Sequence, residues 1–479
     1  MQNKLNLIAE KLRKDFHVPS ITASVHTKGE TFFISSGTSD IENNYSATPN
    51  TIYAIASASK AFIATALCIL ADEGKLSLDD PVVKHMPDFA MHDPYMTKHL
   101  TIRDALGHRS GLPRHDLMWF NQPNLTVHEI VERIQYLPPA FEPRARMHYQ
   151  NLMFSLASVL VERLTGNTWQ DFLKERIFDP LGMTSTYASA KNYRNLGIDT
   201  ISKPYALIDD VVTEVPYNHI DNVGCAGCLS STVCDLDKWA RLQLGRGEFE
   251  GKRIYSEEMA KNLHNPQMII KAGEMSPWGF PDEVDMTSYG QGWFIETYRG
   301  HKLVHHGGTI DGYKSLVGFM PNDDIAFSIL TNLNGNQTPA ALGYYICDCL
   351  LGLEEIDWSK KFRDAVADAA EKSKSVFDEF LALTVDPPKA AHEISALTGT
   401  YNHKGYGDVV VFVEEGKLIA RFGGQDVELI SAGYDNYLLH IKRHGAYLPM
   451  QFVAEFNGTV TKLLMLADDK SAFAVFLKE

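Results

Sequence analysis

Features that the chain lacks exclude several classes of partner. It has no run rich in lysine and arginine, and its formal net charge is −15, with 45 Lys and Arg against 60 Asp and Glu. A surface of that charge repels phosphate backbones and anionic lipids, so we expect neither nucleic acid nor a membrane surface as a partner. No uncharged apolar run reaches the roughly 18 residues that a membrane helix needs.

A secretory signal is also missing from the sequence pattern. Residues 1–13 contain no apolar stretch followed by a small-residue cleavage site, and they read as an amphipathic helix. We therefore expect a cytoplasmic protein.

Cysteine is scarce, with six in 479 residues, and in a reducing compartment we expect free thiols. Cys225 and Cys228 have the spacing of metal and redox sites, and Cys234 follows them. A second such pair, or a pair of histidines, is missing nearby, so the zinc pattern is incomplete. Small buried packing residues are the favoured interpretation, and we expect no metal and no cofactor.

Apolar residues, by contrast, are abundant enough for a large core. Hydrophobic residues make up 44% of the chain and charged residues 22%, and the length fits two or three domains. Residues 18–37 alternate and turn at Lys28-Gly29, which predicts a hairpin. Helical patterns dominate residues 51–245, and short strands return between residues 289 and 331 as an antiparallel meander. Terminal strands around a helical middle predict one α/β domain whose sheet contains both chain ends.

Three segments follow from these patterns. Residues 1–352 form the predicted α/β domain, an antiparallel sheet flanked by helices with an all-helical region. Residues 353–390 read as a charged helix and linker, because Asp386-Pro387-Pro388 ends the helical pattern. Residues 391–479 contain short β runs separated by glycines, which predicts a small all-β barrel.

Ser57 and Lys60 stand at the start of a predicted helix over Ala58–Ala71. That helix is apolar nearly all round, so it should be buried. A serine there lies beside free backbone N–H groups, and a lysine one turn on faces the same side. Because burial disfavours the charged form of lysine, Lys60 is a candidate base beside a candidate nucleophile. Taken alone, the pair is more typical of a helix cap and a solvated lysine, and only the motifs further along the chain favour catalysis.

Tyr149 and Asn151 precede a predicted helix over Leu152–Leu164. A tyrosine at such a helix start can carry a proton if nearby cations lower its pKa. The amide of Asn151 can orient Lys60 or bind a substrate carbonyl. A core tyrosine followed by a capping asparagine is the alternative.

The segment His306-Gly307-Gly308-Thr309 ends a predicted strand. Two glycines let another backbone approach closely. If this strand flanks Ser57, the N–H groups of Ser57 and Thr309 would form an oxyanion hole. His306 would then hold a substrate carboxylate or steady the tyrosine. A plain turn is the alternative.

The order of these three motifs resembles the serine β-lactamase and penicillin-binding-protein superfamily, in particular its class C β-lactamase-like branch with esterases and D-aminopeptidases. Five other segments are similar to that branch: Thr51–Ser57, Leu76–Val82, Thr101–Pro113, Asp179–Met183 and Ala226–Thr232. The resemblance covers about residues 15–350. The tail, through Gly399–Tyr401 and Gly405–Gly407, resembles a lipocalin-like domain appended to some members.

The resemblance implies a β-lactamase-like fold and a two-step acyl transfer. It assigns catalysis to Ser57, Lys60 and Tyr149, and substrate binding to Asn151, His306, Gly308 and Thr309. Where β-lactamases and cell-wall carboxypeptidases carry Lys-Thr-Gly, this chain has His306-Gly307-Gly308, which argues against efficient lactam hydrolysis. We predict a serine hydrolase acting on amide bonds of small peptides, including peptides with D residues. Carboxylester hydrolysis and weak lactam hydrolysis are the alternatives.

A small molecule or short peptide is the expected partner, and assembly into a homo-oligomer is left open. The rival from another class is a non-catalytic binding protein, or a sensor that is acylated once on Ser57. Retention of Ser57, Lys60 and Tyr149 together favours catalysis.

Overall fold

Strands from both ends of residues 1–352 meet in one sheet. The computed structural model describes residues 1–120, 122, 124–189, 200–217, 220–271, 274, 280–441, 446–466 and 473–479. Its strands are β1 Ser20–Thr27, β2 Glu30–Asp40, β3 Tyr45–Ser46, β4 Tyr53–Ala54, β5 Tyr205–Ile208, β6 Val211–Glu214, β7 Ser230–Ser231, β8 Glu248–Phe249, β9 Lys252–Arg253, β10 Met268–Ile270, β11 Val284–Tyr289, β12 Phe294–Tyr298, β13 His301–Ile310, β14 Tyr313–Met320, β15 Ile325–Thr331, β16 Gly399–His403, β17 Gly407–Glu414, β18 Lys417–Phe422, β19 Gln425–Ser431, β20 Asn436–Ile441, β21 Ala446–Ala454, β22 Val460–Leu466 and β23 Phe473–Lys478.

The helices complete the inventory of the described residues. They are α1 Gln2–Asp15, α2 Lys60–Asp72, α3 Val82–His85, α4 Pro94–His99, α5 Ile102–Leu106, α6 Val127–Arg133, α7 Leu152–Thr165, α8 Trp169–Leu173, α9 Asp179–Leu181, α10 Val233–Leu244, α11 Glu257–Leu263, α12 Thr338–Leu351, α13 Trp358–Val385 and α14 Ile394–Leu397. Short 3₁₀ turns cover Ala56–Ser59, Asp116–Met118, Ile134–Tyr136 and Asp221–Ala226, and a wider π turn covers Lys174–Phe178. None of the helices in these ranges has the length and hydropathy to cross a membrane.

The strands of the main sheet lie in the order β10-β11-β12-β13-β14-β15-β1-β2-β3. Each pair of adjacent strands is antiparallel. Lys28 and Gly29 have φ values of 50° and 77°, the left-handed conformation of a tight hairpin turn between β1 and β2. Ile21 on β1 lies opposite Thr331 on β15, so the first strand closes the late meander. The predicted α/β sheet built from both ends of this segment is confirmed.

Two hydrophobic cores cover the two faces of this sheet. On β15, Ala326 and Leu330 belong to the core that contains α2 and α7, whereas Phe327 and Ile329 belong to the core that contains α1 and α12. Successive side chains of a strand point to opposite faces, so this alternation follows from the period of two. One face of the sheet therefore packs against the core that contains α2 and α7. Ser57, the candidate nucleophile, lies in the turn just before α2.

The predicted buried helix after Ser57 is confirmed, with one difference at its start. The α-helix begins at Lys60, and Ser57 lies in the 3₁₀ turn before it. All residues of α2 from Lys60 to Leu70 are buried, as its unbroken apolar pattern predicts. Ala56 has a φ of 46°, a conformation that costs a residue with a Cβ on the order of 1 kcal/mol. The residue immediately before Ser57 therefore has a strained backbone conformation.

The C-terminal segment is a closed barrel in which β16 to β23 follow one another in chain order. Pairing of β16 with β23, with Tyr401 opposite Lys478, closes the circle. Tyr401, Phe452 and Phe476 fill its interior. The all-β barrel is confirmed, while the lipocalin likeness and the domain limits at 352 and 390 stay predictions. The helix expected over 353–384 is present as α13.

Candidate active site

The amine of Lys60 stands at the centre of the site. Its Nζ lies 3.1 Å from Ser57 Oγ, 2.7 Å from Asn151 Oδ1 and 2.6 Å from the carbonyl oxygen of Ala226. The Lys60 side chain is fully buried, whereas Ser57 is partly exposed. The first residue of α2, the residue before α7 and the turn before β7 thus converge on one amine.

Burial lowers the pKa of Lys60 well below its usual value, and the nearby Arg114 guanidinium lowers it further. Asn151 donates from Nδ2 to Asp116 Oδ1 at 3.0 Å, which turns its Oδ1 toward Lys60. The oxygens of Asn151 and Ala226 can only accept, so they take the two N–H bonds of a neutral amine. Ser57 Oγ is the third neighbour of Nζ, so a neutral amine would turn its lone pair toward the serine hydroxyl. In this position Lys60 is a candidate general base for Ser57.

A neutral Lys60 has a consequence for stability that can be measured without substrate. Between its folded pKa and about 10.5 the unfolded chain binds one more proton than the folded chain, so the free energy of unfolding rises with pH by about 1.4 kcal/mol per unit. Lys60→Met removes this term. In urea unfolding at several pH values from about 7.5 to 9.5, we expect the variant to gain less stability with rising pH than the wild type, by about that slope. Equal slopes would show that Lys60 stays protonated in the folded protein.

Tyr149 completes the hydrogen bonds of the nucleophile. Its hydroxyl bonds to Ser57, and Lys60 Nζ lies 4.9 Å from the centre of its ring. Burial raises the pKa of Tyr149, and the opposing effects of Ser57 and Arg114 are smaller. The condition that cations lower this pKa is therefore not met, because the phenol is almost completely removed from water and burial outweighs the effect of Arg114. Tyr149 is a neutral phenol, able to pass a proton but not to act as a phenolate base.

His306 lies beneath Tyr149 in a buried aromatic cluster. Its Nδ1 lies 2.6 Å from the carbonyl oxygen of Gly307, and its Nε2 lies 3.0 Å from the Tyr289 hydroxyl. Because a carbonyl oxygen only accepts, Nδ1 carries the proton and Nε2 accepts from Tyr289. Burial is the largest cause that lowers the pKa of His306, to about 3. The ring is neutral and carries no charge to pair with a carboxylate.

The end of β13 passes directly beside the nucleophile. Pairing of β13 with β12 ends at His305, while pairing with β14 continues to Ile310, so the last residues of β13 have a free edge on the β12 side. A Cβ on Gly308 would stand 2.0 Å from the carbonyl oxygen of Ile55 and 2.8 Å from the backbone nitrogen of Ser57. Only glycine permits this approach, as its position in the motif predicted. The backbone of Thr309 follows at the rim of the cleft.

A cleft of about 390 Å³ opens in front of Ser57. Its apolar walls are Leu117, Trp119, Phe120, Ile220, Val223 and Ile310, and its polar groups are Ser57, Arg114, Asp116, Asn151, Thr309, Asp311 and Asn334. Arg114 Nε donates to Asp116 Oδ2 at 2.7 Å, so the cation and one carboxylate of the wall are paired. Mostly apolar walls with a few polar groups suit a small organic ligand.

Asp116 and the carbonyl of Ala226 are the site groups that sequence reasoning missed. Asp116 follows the recognised Thr101–Pro113 segment by three residues, and only the fold brings it to Asn151. Ala226 belongs to a recognised segment, but its acceptor is the main-chain carbonyl. Every residue type has that group, so the sequence does not identify it. His108, also within a recognised segment, is fully buried with its ring centre 4.3 Å from that of Tyr149.

Cys225 and Cys228 pack in the protein interior, which is the interpretation that the sequence pattern favoured. Cys225 and Cys228 are buried free thiols. The Cys225 thiol donates to the carbonyl oxygen of Ser59 at 3.3 Å, and the Cys228 thiol donates to that of Ala188 at 3.4 Å. The loop that supplies Ala226 is thereby fixed against the turn that carries Ser57.

Comparisons with known proteins agree with this geometry. The profile of the beta-lactamase family matches residues 5–347, and that of a domain of unknown function (DUF3471) matches residues 384–476. The unguisins hydrolase ungD' of Aspergillus campestris is 27% identical over 477 residues, which is 93% of this chain and 85% of that protein.

Two solved structures share the fold. The octameric penicillin-binding protein homologue from Pyrococcus abyssi superposes with a TM-score of 0.65 and 22% identity, over 99% of both chains. The D-amino acid amidase from Ochrobactrum anthropi SV3 superposes with a TM-score of 0.59 and 22% identity, over 78% of this chain and all of that one (100%). With the family profile covering well over half of the sequence, the chain belongs to the beta-lactamase family.

Proposed function

We propose that this protein is a serine hydrolase that cleaves amide bonds of small peptides, including those with D residues, through an acyl-enzyme on Ser57. One observation carries the proposal: a buried amine that contacts two acceptors, Asn151 Oδ1 and the Ala226 carbonyl, with its Nζ 3.1 Å from Ser57 Oγ. A structural lysine has no need of that arrangement, since an exposed position costs less.

In the acylation step, Ser57 Oγ attacks the substrate carbonyl carbon while its proton passes to Lys60 Nζ. The carbonyl oxygen becomes an oxyanion, which the backbone N–H groups of Ser57 and Thr309 stabilise. The carbon–nitrogen bond then breaks. The leaving nitrogen takes a proton from the Tyr149 hydroxyl, and protonated Lys60 gives its proton to Tyr149. Lys60 is therefore neutral again when the acyl-enzyme is complete.

In the deacylation step, a water molecule gives its proton to Lys60 and attacks the acyl carbonyl. The ester bond to Ser57 breaks, and the proton returns to Ser57 Oγ. In this scheme Asn151 orients Lys60 and contacts the substrate, Gly308 allows the β13 edge to reach the acyl group, and His306 steadies the aromatic cluster beneath Tyr149.

The cleft supports a small acyl group. About 390 Å³ lies at the lower end of the volumes of ligand pockets, enough for one or two residues with an apolar or aromatic side chain. The similar proteins include a D-amino acid amidase and an unguisins hydrolase, which favours amide substrates for this chain too. Esters react more readily by the same steps, so activated esters should also turn over.

Initial rates on a matched panel test the proposal. The panel holds the D and L isomers of phenylalanine amide, a p-nitrophenyl ester of similar size and a chromogenic cephalosporin. We expect steady turnover of an amide, faster for the D isomer, and little turnover of the cephalosporin. Turnover of the ester alone would make the protein a carboxylesterase. A single burst without turnover would make it an acylated sensor, and both results would overturn the proposal.

A further inference from the structure

A loop of the C-terminal barrel is built into the catalytic domain. Tyr406, between β16 and β17, is almost fully buried, and its hydroxyl is hydrogen bonded to His115 Nδ1. Its carbonyl oxygen accepts from Gln122 Nε2 at 3.0 Å. His115 and Gln122 flank the segment 116–120, which supplies one wall of the cleft.

The barrel holds this loop in a fixed shape. The backbone N–H groups of Gly405 and Tyr406 donate to His403 Nδ1 at 3.0 and 3.2 Å. A Cβ on Gly405 would stand 2.7 Å from Leu137 Cδ2, so the loop backbone is pressed against the catalytic domain. The ring of Tyr406 packs on Phe476 in the barrel interior. A flexible loop would not make these close contacts.

On the catalytic side, His115 receives the contact in a strained position. It has a φ of 48°, in the left-handed region that disfavours residues with a Cβ. Its Nε2 lies 3.3 Å from the carbonyl oxygen of Pro138, which can only accept. Nε2 therefore carries the ring proton, and Nδ1 accepts from the Tyr406 hydroxyl. Strain of this kind persists only where the surroundings hold the residue in place.

His115 is joined directly to the groups that hold the base. The next residue, Asp116, accepts at Oδ1 from Asn151 Nδ2 and from Trp119 Nε1, both at 3.0 Å. Asn151 Oδ1 in turn accepts from Lys60 at 2.7 Å. An unbroken series of contacts thus runs from Tyr406 through His115, Asp116 and Asn151 to the amine beside Ser57.

We propose that Tyr406 is a positioning residue for the Lys60–Ser57 pair, and that the barrel is thereby part of the active-site framework. The hydroxyl of Tyr406 fixes His115, and His115 fixes the carboxylate that orients Asn151. This inference rests on the proposed function, because it assumes that Lys60 activates Ser57. It assigns the barrel a role in the speed of acylation, separate from any part in substrate binding.

Tyr406→Phe tests the inference in the full-length protein, because it removes the hydroxyl and keeps the ring. Tyr401→Phe is the matched control: Tyr401 is another buried barrel tyrosine, and its hydroxyl donates to the carbonyl oxygen of Leu397 at 2.8 Å, away from the cleft. The probe is an alkyl fluorophosphonate, and labelling of Ser57 is followed by intact-protein mass at several probe concentrations. The rate constant per labelled molecule does not depend on how much protein is folded.

We expect Tyr406→Phe to lower the maximal labelling rate constant about fivefold to tenfold, the loss that follows from one positioning hydrogen bond, with little change in the half-saturating concentration. Tyr401→Phe should keep the wild-type rate constant. A Tyr406→Phe rate constant equal to that of the control, or a change in half-saturation alone, would overturn the inference.

Failure of the proposed function gives a different result. If the wild type does not label on Ser57, the hydrolase proposal fails, and hydrogen exchange of residues 114–119 then tests the mechanical link by itself. Faster exchange in Tyr406→Phe than in Tyr401→Phe would keep the link, and equal exchange would remove it.

Discussion

Replacing Ser57 with alanine is expected to lower amide turnover by about 10⁴-fold or more, and to abolish covalent labelling. The loss is large because no acyl-enzyme can form, and the remaining groups can only polarise the bound substrate. Folding should be little affected, since Ser57 is partly exposed and the turn that carries it is fixed by its neighbours. Steady-state rates with phenylalanine amide and labelling by a fluorophosphonate measure the two effects.

Ser59→Ala is the matched control for this variant. Ser59 lies in the same 3₁₀ turn, but its hydroxyl donates to the carbonyl oxygen of Ala56 at 2.6 Å and accepts from the backbone of Leu229 at 3.2 Å. Its removal should cost about 1–3 kcal/mol of stability and leave labelling intact. Labelling that survives in Ser57→Ala would place the nucleophile elsewhere.

Lys60→Met should lower the acylation rate by about 10²- to 10⁴-fold, the range that a positioned general base contributes. Methionine fills the buried volume but has no lone pair of comparable basicity and no N–H for Asn151 and Ala226. Because burial depresses the pKa of Lys60, the wild-type rate should fall as acid protonates the amine, and this fall should come well below the usual lysine pKa of about 10.4. Stopped-flow acylation by the p-nitrophenyl ester gives this rate directly.

Lys314→Met controls for the removal of a partly buried lysine. Burial lowers the pKa of Lys314 to about 8, but its Nζ donates to Gln337 at 3.0 Å and does not line the cleft. We expect its acylation rate to stay within about twofold of the wild type. A Lys60→Met variant that acylates as fast as Lys314→Met would require another base for Ser57.

The fold was predictable wherever a local pattern decides it. The apolar run after Lys60 has no glycine or proline to interrupt it, and α2 is buried along almost its whole length. Lys28-Gly29 supplies the backbone conformation of the β1–β2 turn. Short β runs separated mostly by glycines predicted a small barrel, and eight strands form it in chain order. In each case the order of apolar and turn-forming residues along the chain predicts the local geometry.

The proximity of the candidate site residues was predictable, but their electrostatics was not. The motifs identified Ser57 and Lys60, and the structure places them 3.1 Å apart. The direction of the Tyr149 pKa was missed because it depends on burial from several segments at once. Asp116 and Tyr406 were missed for a related reason: each acts through a contact with a residue distant in sequence, Asn151 and His115. No spacing along the chain encodes such pairs.

Intact-protein mass spectrometry during turnover of D-phenylalanine amide tests the central claim most directly. The account predicts a transient increase in mass equal to the acyl group, located on the peptide that contains Ser57, and its decay as substrate is consumed. Steady product formation with no adduct, or with an adduct on another residue, would contradict it.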